Sequence, residues 1–396
     1  MTTKFLTRSA PVLIGIFIFF NIFPHTTAIK QISFYLCVFI VLILIIFKKS
    51  DFTFKTPLAL PFVIFILWSG LSIFWALDKG ESIHGFYAHL LRYLALYYIL
   101  INFFNSKKRF ILLTWIIIIS ASVFSIGGLI YSAHVNNIVE SRFGFHESTA
   151  QCNRIGYTTL PAILLLAFHL FREDIKPYCK AILFLPLSGT FMATLLTYSK
   201  GTWLAIIALF IVLLWNNKKR LLVFLLLIMI FAGGLHAGSA EFRSRININA
   251  IFNNERISIW HTSLEMIKDR PVAGFGLGNV FEENWMEYNA RLPACDQFKA
   301  YPFAHPHNFL LDITTRLGLI GISLFSYMVF MLVRMCLQII KNGKDEFIRG
   351  WGLCIMSAFV GIFVLGFFDK IFAQAPLCII STLFAMITIL WNLNKR

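Results

Sequence analysis

Residues 202–238 read TWLAIIALFIVLLWNNKKRLLVFLLLIMIFAGGLHAG: two apolar runs, 202–216 and 221–238, hinged on Asn216-Asn217-Lys218-Lys219-Arg220. Neither run alternates as a barrel strand does, and in lipid a continuous apolar run satisfies its own backbone only as a helix. The same pattern recurs along the chain. Of its 396 residues 58% are hydrophobic and 14% charged, with 43 phenylalanines, and the mean hydropathy is +0.75. A soluble chain carries about 25% charged residues, so this composition excludes a disordered chain and argues against a soluble globular enzyme. Twelve runs qualify as spans: 10–28, 31–47, 57–76, 84–104, 110–131, 155–171, 181–198, 202–216, 221–238, 309–337, 350–368 and 372–391. The predicted fold is all-α, a polytopic membrane protein of about twelve transmembrane helices. The first run has no small-x-small cleavage pattern and reads as a retained span.

The charges orient the spans. An even count puts both termini on one side. That side collects 20 of the 35 lysines and arginines against five acids, including Lys107-Lys108-Arg109, Lys218-Lys219-Arg220 and Lys395-Arg396. By the positive-inside rule this side is cytoplasmic. The net charge of +16 is therefore a topology signal, and no nucleic-acid partner is expected. Seven cysteines without paired CxxC spacing form neither a disulfide framework nor a zinc site. The chain divides into spans one to nine (1–238), one large outer loop (239–306) and spans ten to twelve (307–396). The loop holds seven basic and eight acidic residues; with the outer segment 132–154 it is the place to look for chemistry, since long ordered loops are usually functional.

Within the loop, Glu255 to Arg270 predicts an amphipathic helix with Ile257, Trp260, Leu264 and Ile267, at i, i+3, i+7 and i+10, on one face. Pro271 and the glycines of Gly274-Phe275-Gly276-Leu277-Gly278 end it. Those glycines are not a dinucleotide fingerprint and read as a tight turn returning the chain to the membrane. Arg256, at the helix start, suits a phosphate by paired N–H groups; the competing reading is a surface arginine beside a glutamate. Ala304-His305-Pro306-His307-Asn308 then leads into span ten. Three readings stand for its histidines: metal ligands, though no carboxylate or cysteine lies at ligand spacing; structural residues; or a neutral imidazole that takes a proton from a sugar hydroxyl. His84, His89 and Arg92 in span four face a cavity or a partner, and Asp369-Lys370 reads as a local ion pair.

His307-Asn308, nine residues, Gly318, two residues and Gly321 resemble the H-[NSQ]-x9-G-x-x-[GTY] signature of bacterial O-antigen ligases. Arg256-x-x-x-Trp260 and Pro271-Val272-Ala273-Gly274-x-Gly276 are similar to the same superfamily, which also holds O-antigen polymerases and protein O-oligosaccharyltransferases. The resemblance implies glycosyl transfer on the periplasmic side of the inner membrane, inverting and metal-independent, with no cofactor. The implied donor is an O-polysaccharide on undecaprenyl diphosphate, the implied acceptor a sugar of lipid A-core, both drawn from among membrane lipids. Carried over by residue, His307 is the base and Arg256 grips the diphosphate. His305, Asn308 and Trp260 are implied to bind substrate. The family's arginine after a serine or threonine at a middle span is Lys200 here, in Ser199-Lys200-Gly201; it keeps the charge without the two-pronged geometry. Arg142 is a further candidate cation. A polymerase is the alternative within the superfamily. A lipid-linked glycan transporter is the alternative outside it, but the polar residues gather at the outer boundary rather than the midplane.

Overall fold

The computed structural model describes residues 3–48, 51–135, 150–172, 175–238, 240–246, 255–298, 302–370 and 372–396. Among them there are helices and turns and no strand. Seven helices are long and apolar enough to cross a membrane: α2 (Thr27–Ile46), α6 (Lys107–Val135), α8 (Pro177–Leu195), α10 (Lys218–Gly238), α14 (Phe309–Asn342), α15 (Glu346–Gly366) and α16 (Gln374–Lys395). Shorter apolar helices fill four more expected positions: α1 (Thr3–Phe20), α3 (Ala59–Leu71), α7 (Ala150–Phe171) and α9 (Lys200–Leu214). The fourth expected span is helical but not uniform: α4 (Lys79–Gly85), a π-helical turn over Phe86–Leu91 and α5 (Arg92–Phe103) follow without interruption. The first span lies earlier than predicted, because the chain turns at Phe20–Thr26, around Pro24, before α2 begins.

The helices sort by what covers them. α16 is buried almost all round from Pro376 to Leu390, whereas α10 buries none of its residues and presents its apolar surface outward, as a lipid-facing helix does. Hydroxyls tie α16 to α5: Tyr97 and Thr388 share a hydrogen bond of 3.0 Å, and Ser381 donates to the Tyr93 carbonyl at 2.6 Å. Buried polar groups need such partners where no water reaches them.

The outer loop carries α11 (Ala240–Ile246), α12 (Arg256–Asp269) and α13 (Val280–Ala290). α12 matches the predicted helix, but its buried face does not. Ile259, Thr262, Ser263 and Met266 point inward, while Ile257 and Leu264 are 43% and 45% exposed. The inward stripe mixes hydroxyls with apolar groups, and Thr262 and Ser263 bond back to the carbonyls of Ser258 and Ile259. A hydrophobicity pattern passes over hydroxyls that satisfy themselves in this way.

The glycine run does more than turn. α14 breaks at Gly318, whose φ of 68° and ψ of −170° leave the helical region, and residues 271–276 cross the gap. Phe275 and Gly276 donate to the carbonyls of Thr315 and Arg316 at 3.0 and 2.8 Å. Leu319 and Ile320 donate to those of Pro271 and Val272 at 2.8 and 3.3 Å. Trp68 takes the remaining Leu317 carbonyl at 2.9 Å, and Trp75 holds Ala273 at 3.2 Å. Three carbonyls and two amides at the break are thereby paired, as irregular backbone near lipid requires. Gly274 and Gly318 both have φ near +68° and face each other: a Cβ on Gly274 would lie 2.5 Å from the Arg316 carbonyl.

The orientation read from charge has a direct check. Cys295 is exposed in the outer loop, and Cys179 is half-buried at the start of α8. In chains with one of the two as the sole cysteine, an impermeant maleimide is expected to label Cys295 on intact cells and Cys179 only after permeabilisation. The opposite pattern inverts the topology.

Candidate active site

The turn between α15 and α16, residues 367–370, meets the loop 302–308 that leads into α14. The rings of His305 and His307 lie 4.1 Å apart between centroids, their planes tilted by 47°. His305 Nε2 lies 3.3 Å from Asp369 Oδ1. His307 has φ +51°, a conformation costly for a residue with a Cβ and found where surroundings impose it. Those surroundings are Asn308, whose side chain accepts from the backbone N–H groups of Leu310 and Leu311 at 2.9 and 3.3 Å, and Phe303, whose ring stands 6.2 Å from His307 and belongs to the small apolar core of the outer loop.

Cations converge on the same turn. The Arg256 guanidinium lies over the Phe368 ring at 5.2 Å and donates to the Phe368 carbonyl at 3.5 Å; burial lowers its pKa. Gly201 also packs against Phe368, where an added Cβ would come within 2.8 Å. The cap Ser199, which accepts from Thr202 N at 3.3 Å, thus starts α9 beside this turn and sets Lys200 there. Lys370 follows Asp369 directly. Burial first, then His305, Arg256 and Lys370 against the opposing pull of Asp369, pushes the His307 pKa down to about 3. The imidazole is neutral at pH 7 and can accept a proton.

One nitrogen of each histidine and an oxygen of Asp369 lie within 4.8 Å of one another, spacing that admits a metal ion. The sequence shows no carboxylate at ligand spacing because Asp369 stands 64 residues beyond His305. Arg256 and Lys370 beside the cluster oppose a dication there. Among the described residues the Nδ1 atoms of both histidines are buried without a hydrogen-bond partner, so each ring keeps an unmet hydrogen-bonding capacity.

The family profile of O-antigen ligase matches residues 181–326. That stretch is similar to the O-antigen ligase family. Two Rickettsia proteins carrying the name "Putative polysaccharide ligase" are similar over a longer range. That of Rickettsia bellii (strain RML369-C) is 25% identical over 339 residues, covering 78% of this chain and 74% of the relative. That of Rickettsia felis (strain ATCC VR-1525 / URRWXCal2) is 24% identical over 251 residues, 60% of this chain and 56% of the relative.

The O-antigen ligase region takes in Lys200, Arg256, His305, His307 and both interlocked glycines, but stops before Asp369 and Lys370. The structure brings His305, His307 and Arg256 together at one turn and sets Lys200 next to it. Asn308, implied as a substrate ligand, has its oxygen engaged as the cap of α14. Trp260 packs against the apolar core of the outer loop. Arg142 lies outside the described residues. Two residues escaped the sequence reading. Asp369, expected only as a local partner of Lys370, meets His305. Arg316 is buried in α14, where it pairs with Asp312 at 2.8 Å and donates to the carbonyls of Leu277 and Gly278. Their i, i+4 spacing inside a span is a readable signal, since charges at membrane depth need a partner.

Proposed function

We propose that this chain is an O-antigen ligase, moving an O-polysaccharide from undecaprenyl diphosphate to a sugar hydroxyl of lipid A-core on the periplasmic face of the bacterial inner membrane. The observation that carries the reading is the neutral, half-buried His307, packed against His305 and acted on by the charges of Arg256 and Lys370. The acceptor oxygen attacks the anomeric carbon of the donor while its proton passes to His307. The bond from that carbon to the diphosphate oxygen breaks, the electron pair leaves with the diphosphate, and the configuration inverts. Arg256, Lys200 and Lys370 stabilise the departing charge, the place where fixed cations act most strongly on the barrier. Asp369 fixes His305, which packs against the base. A resting pKa near 3 makes a weak base, but donor diphosphate beside Arg256 and Lys370 offsets the charges that depress it. His307 therefore gains basicity when the donor is bound.

The test is a reconstituted assay with undecaprenyl-diphosphate glycan and rough lipopolysaccharide, with and without EDTA. Glycan is expected on the lipid A-core in both. If EDTA stops turnover and a divalent ion restores it, His305, His307 and Asp369 are metal ligands. If the glycan lengthens on its own carrier, the chain is a polymerase. Arg256→Lys is expected to lower kcat/KM for the donor about ten- to a hundredfold, because one ammonium replaces two parallel N–H contacts. An unchanged value removes Arg256 from the diphosphate site.

A further inference from the structure

The turn that carries Asp369 has Arg256 at its Phe368 end; at its Lys370 end lies a chamber of about 460 Å³, of whose lining the transfer chemistry above uses Lys370 alone. Its polar lining comes from Asn21, Lys30, His89, Lys370 and Gln374, and among the described residues no carboxylate lines it. Asn21 is only 9% exposed, and its Nδ2 has no hydrogen-bond partner among the described residues. The His89 Nδ1 atom is in the same condition. The chamber also receives the start of α16, which Ala373 begins without a side-chain cap. The first amides of a helix have no helical acceptor and carry the positive end of its dipole. Lys30 is held at the rim by the Phe23 carbonyl at 3.3 Å. An uncapped 22-residue helix, a buried unpaired amide and two lysines all offer donors and positive charge, the chemistry of an anion site. His89 and Phe372 also wall an apolar cavity of about 90 Å³ among Phe65, Tyr93, Phe325 and Phe384. The ligand is thus an amphiphile rather than a free ion.

We infer that this chamber binds a phosphate group on the head of the acceptor glycolipid, with part of its apolar portion in the cavity below. The inference rests on the ligase reading: transfer brings two amphiphiles to one base, and two cationic sites flank His307. The Arg256 end takes the donor diphosphate and the chamber end takes the acceptor, with Lys370 standing between the two.

The experiment compares rough lipopolysaccharide with the same material after phosphatase treatment, using wild type, Lys30→Gln and Asn21→Asp in proteoliposomes. Lys30→Gln is expected to raise the acceptor KM about tenfold, the loss of one charge-assisted contact, with kcat and donor KM unchanged. Phosphatase treatment costs wild type a similar factor and makes Lys30→Gln silent. Asn21→Asp keeps shape and reverses the sign, so it raises acceptor KM further. Equal KM values for the two acceptors, or a change in donor KM instead, overturn the inference. Direct binding of both lipopolysaccharides, competed with inorganic phosphate, separates it from the transfer reading. Loss of phosphorylated-lipid binding in Asn21→Asp supports the chamber even where transfer fails. Binding of inorganic phosphate as tight as that of the lipid refutes a lipid head-group site.

Discussion

His307→Ala is expected to lower transfer by about 10²–10⁴-fold, the usual contribution of a positioned base, with membrane expression unchanged. The ring contributes little to folding that alanine would lose: its Nδ1 is buried without a partner among the described residues, and its backbone is held by the Asn308 cap and Phe303. The pH profile separates the base from a packing residue. The folded pKa of about 3 lies below the ordinary value near 6.5, so in free enzyme His307 stays neutral through that range. The acid limb of kcat/KM therefore falls well below pH 6.5. The limb of kcat, which reports the substrate-bound enzyme, shifts to higher pH because diphosphate offsets Arg256 and Lys370. The stability contribution has the same sign: it is complete above about pH 6.5 and is lost as pH falls towards 3. A variant that keeps wild-type turnover, or a kcat limb at lower pH than that of kcat/KM, removes the base assignment.

Gly318→Val is expected to be worse than inactive. A Cβ at this position would overlap the Val272 carbonyl oxygen, and φ +68° disfavours a β-branched residue. Moving residues 271–276 away would strip partners from the carbonyls of Thr315 and Arg316 and the amides of Leu319 and Ile320. The combined cost is roughly 4 kcal/mol or more, the range of named structural failures. Detergent-solubilised Gly318→Val should aggregate on size exclusion, and its yield in membranes should fall. Gly127→Ala is the matched control: nothing lies within 4 Å of a Cβ there, so yield and elution should be unchanged. A monodisperse Gly318→Val would mean that the interlock does not hold the outer loop in place.

What could be read from residues alone follows from the range of the interaction that decides each feature. The runs around Lys218-Lys219-Arg220 announce helices because twenty apolar residues in sequence suffice. Pro271 marks the end of α12 because its ring ends a helix locally. The partners of these local signals are not local. Gly274 and Gly318 look like two separate turns, yet each is small because of the other's segment: Gly274 faces Arg316 to Gly318, and Gly318 faces Val272 and Ala273. Ile257 and Leu264 carry the hydrophobic pattern of α12, but the core lies on the side of Thr262 and Ser263. At the site, the residue types around His307 and Arg256 point to proton and phosphate chemistry. The placement of Asp369 against His305 depends on how α14 and α15 return the chain to the outer side, which no spacing encodes.

That return path also sets when the enzyme can first work. His307 leaves the ribosome with the start of α14, but its charged neighbours Asp369 and Lys370 arrive only after α15 has followed. An unfinished chain holds the imidazole without Asp369 and Lys370, so on the proposed reading the site is complete only once the penultimate helix is seated.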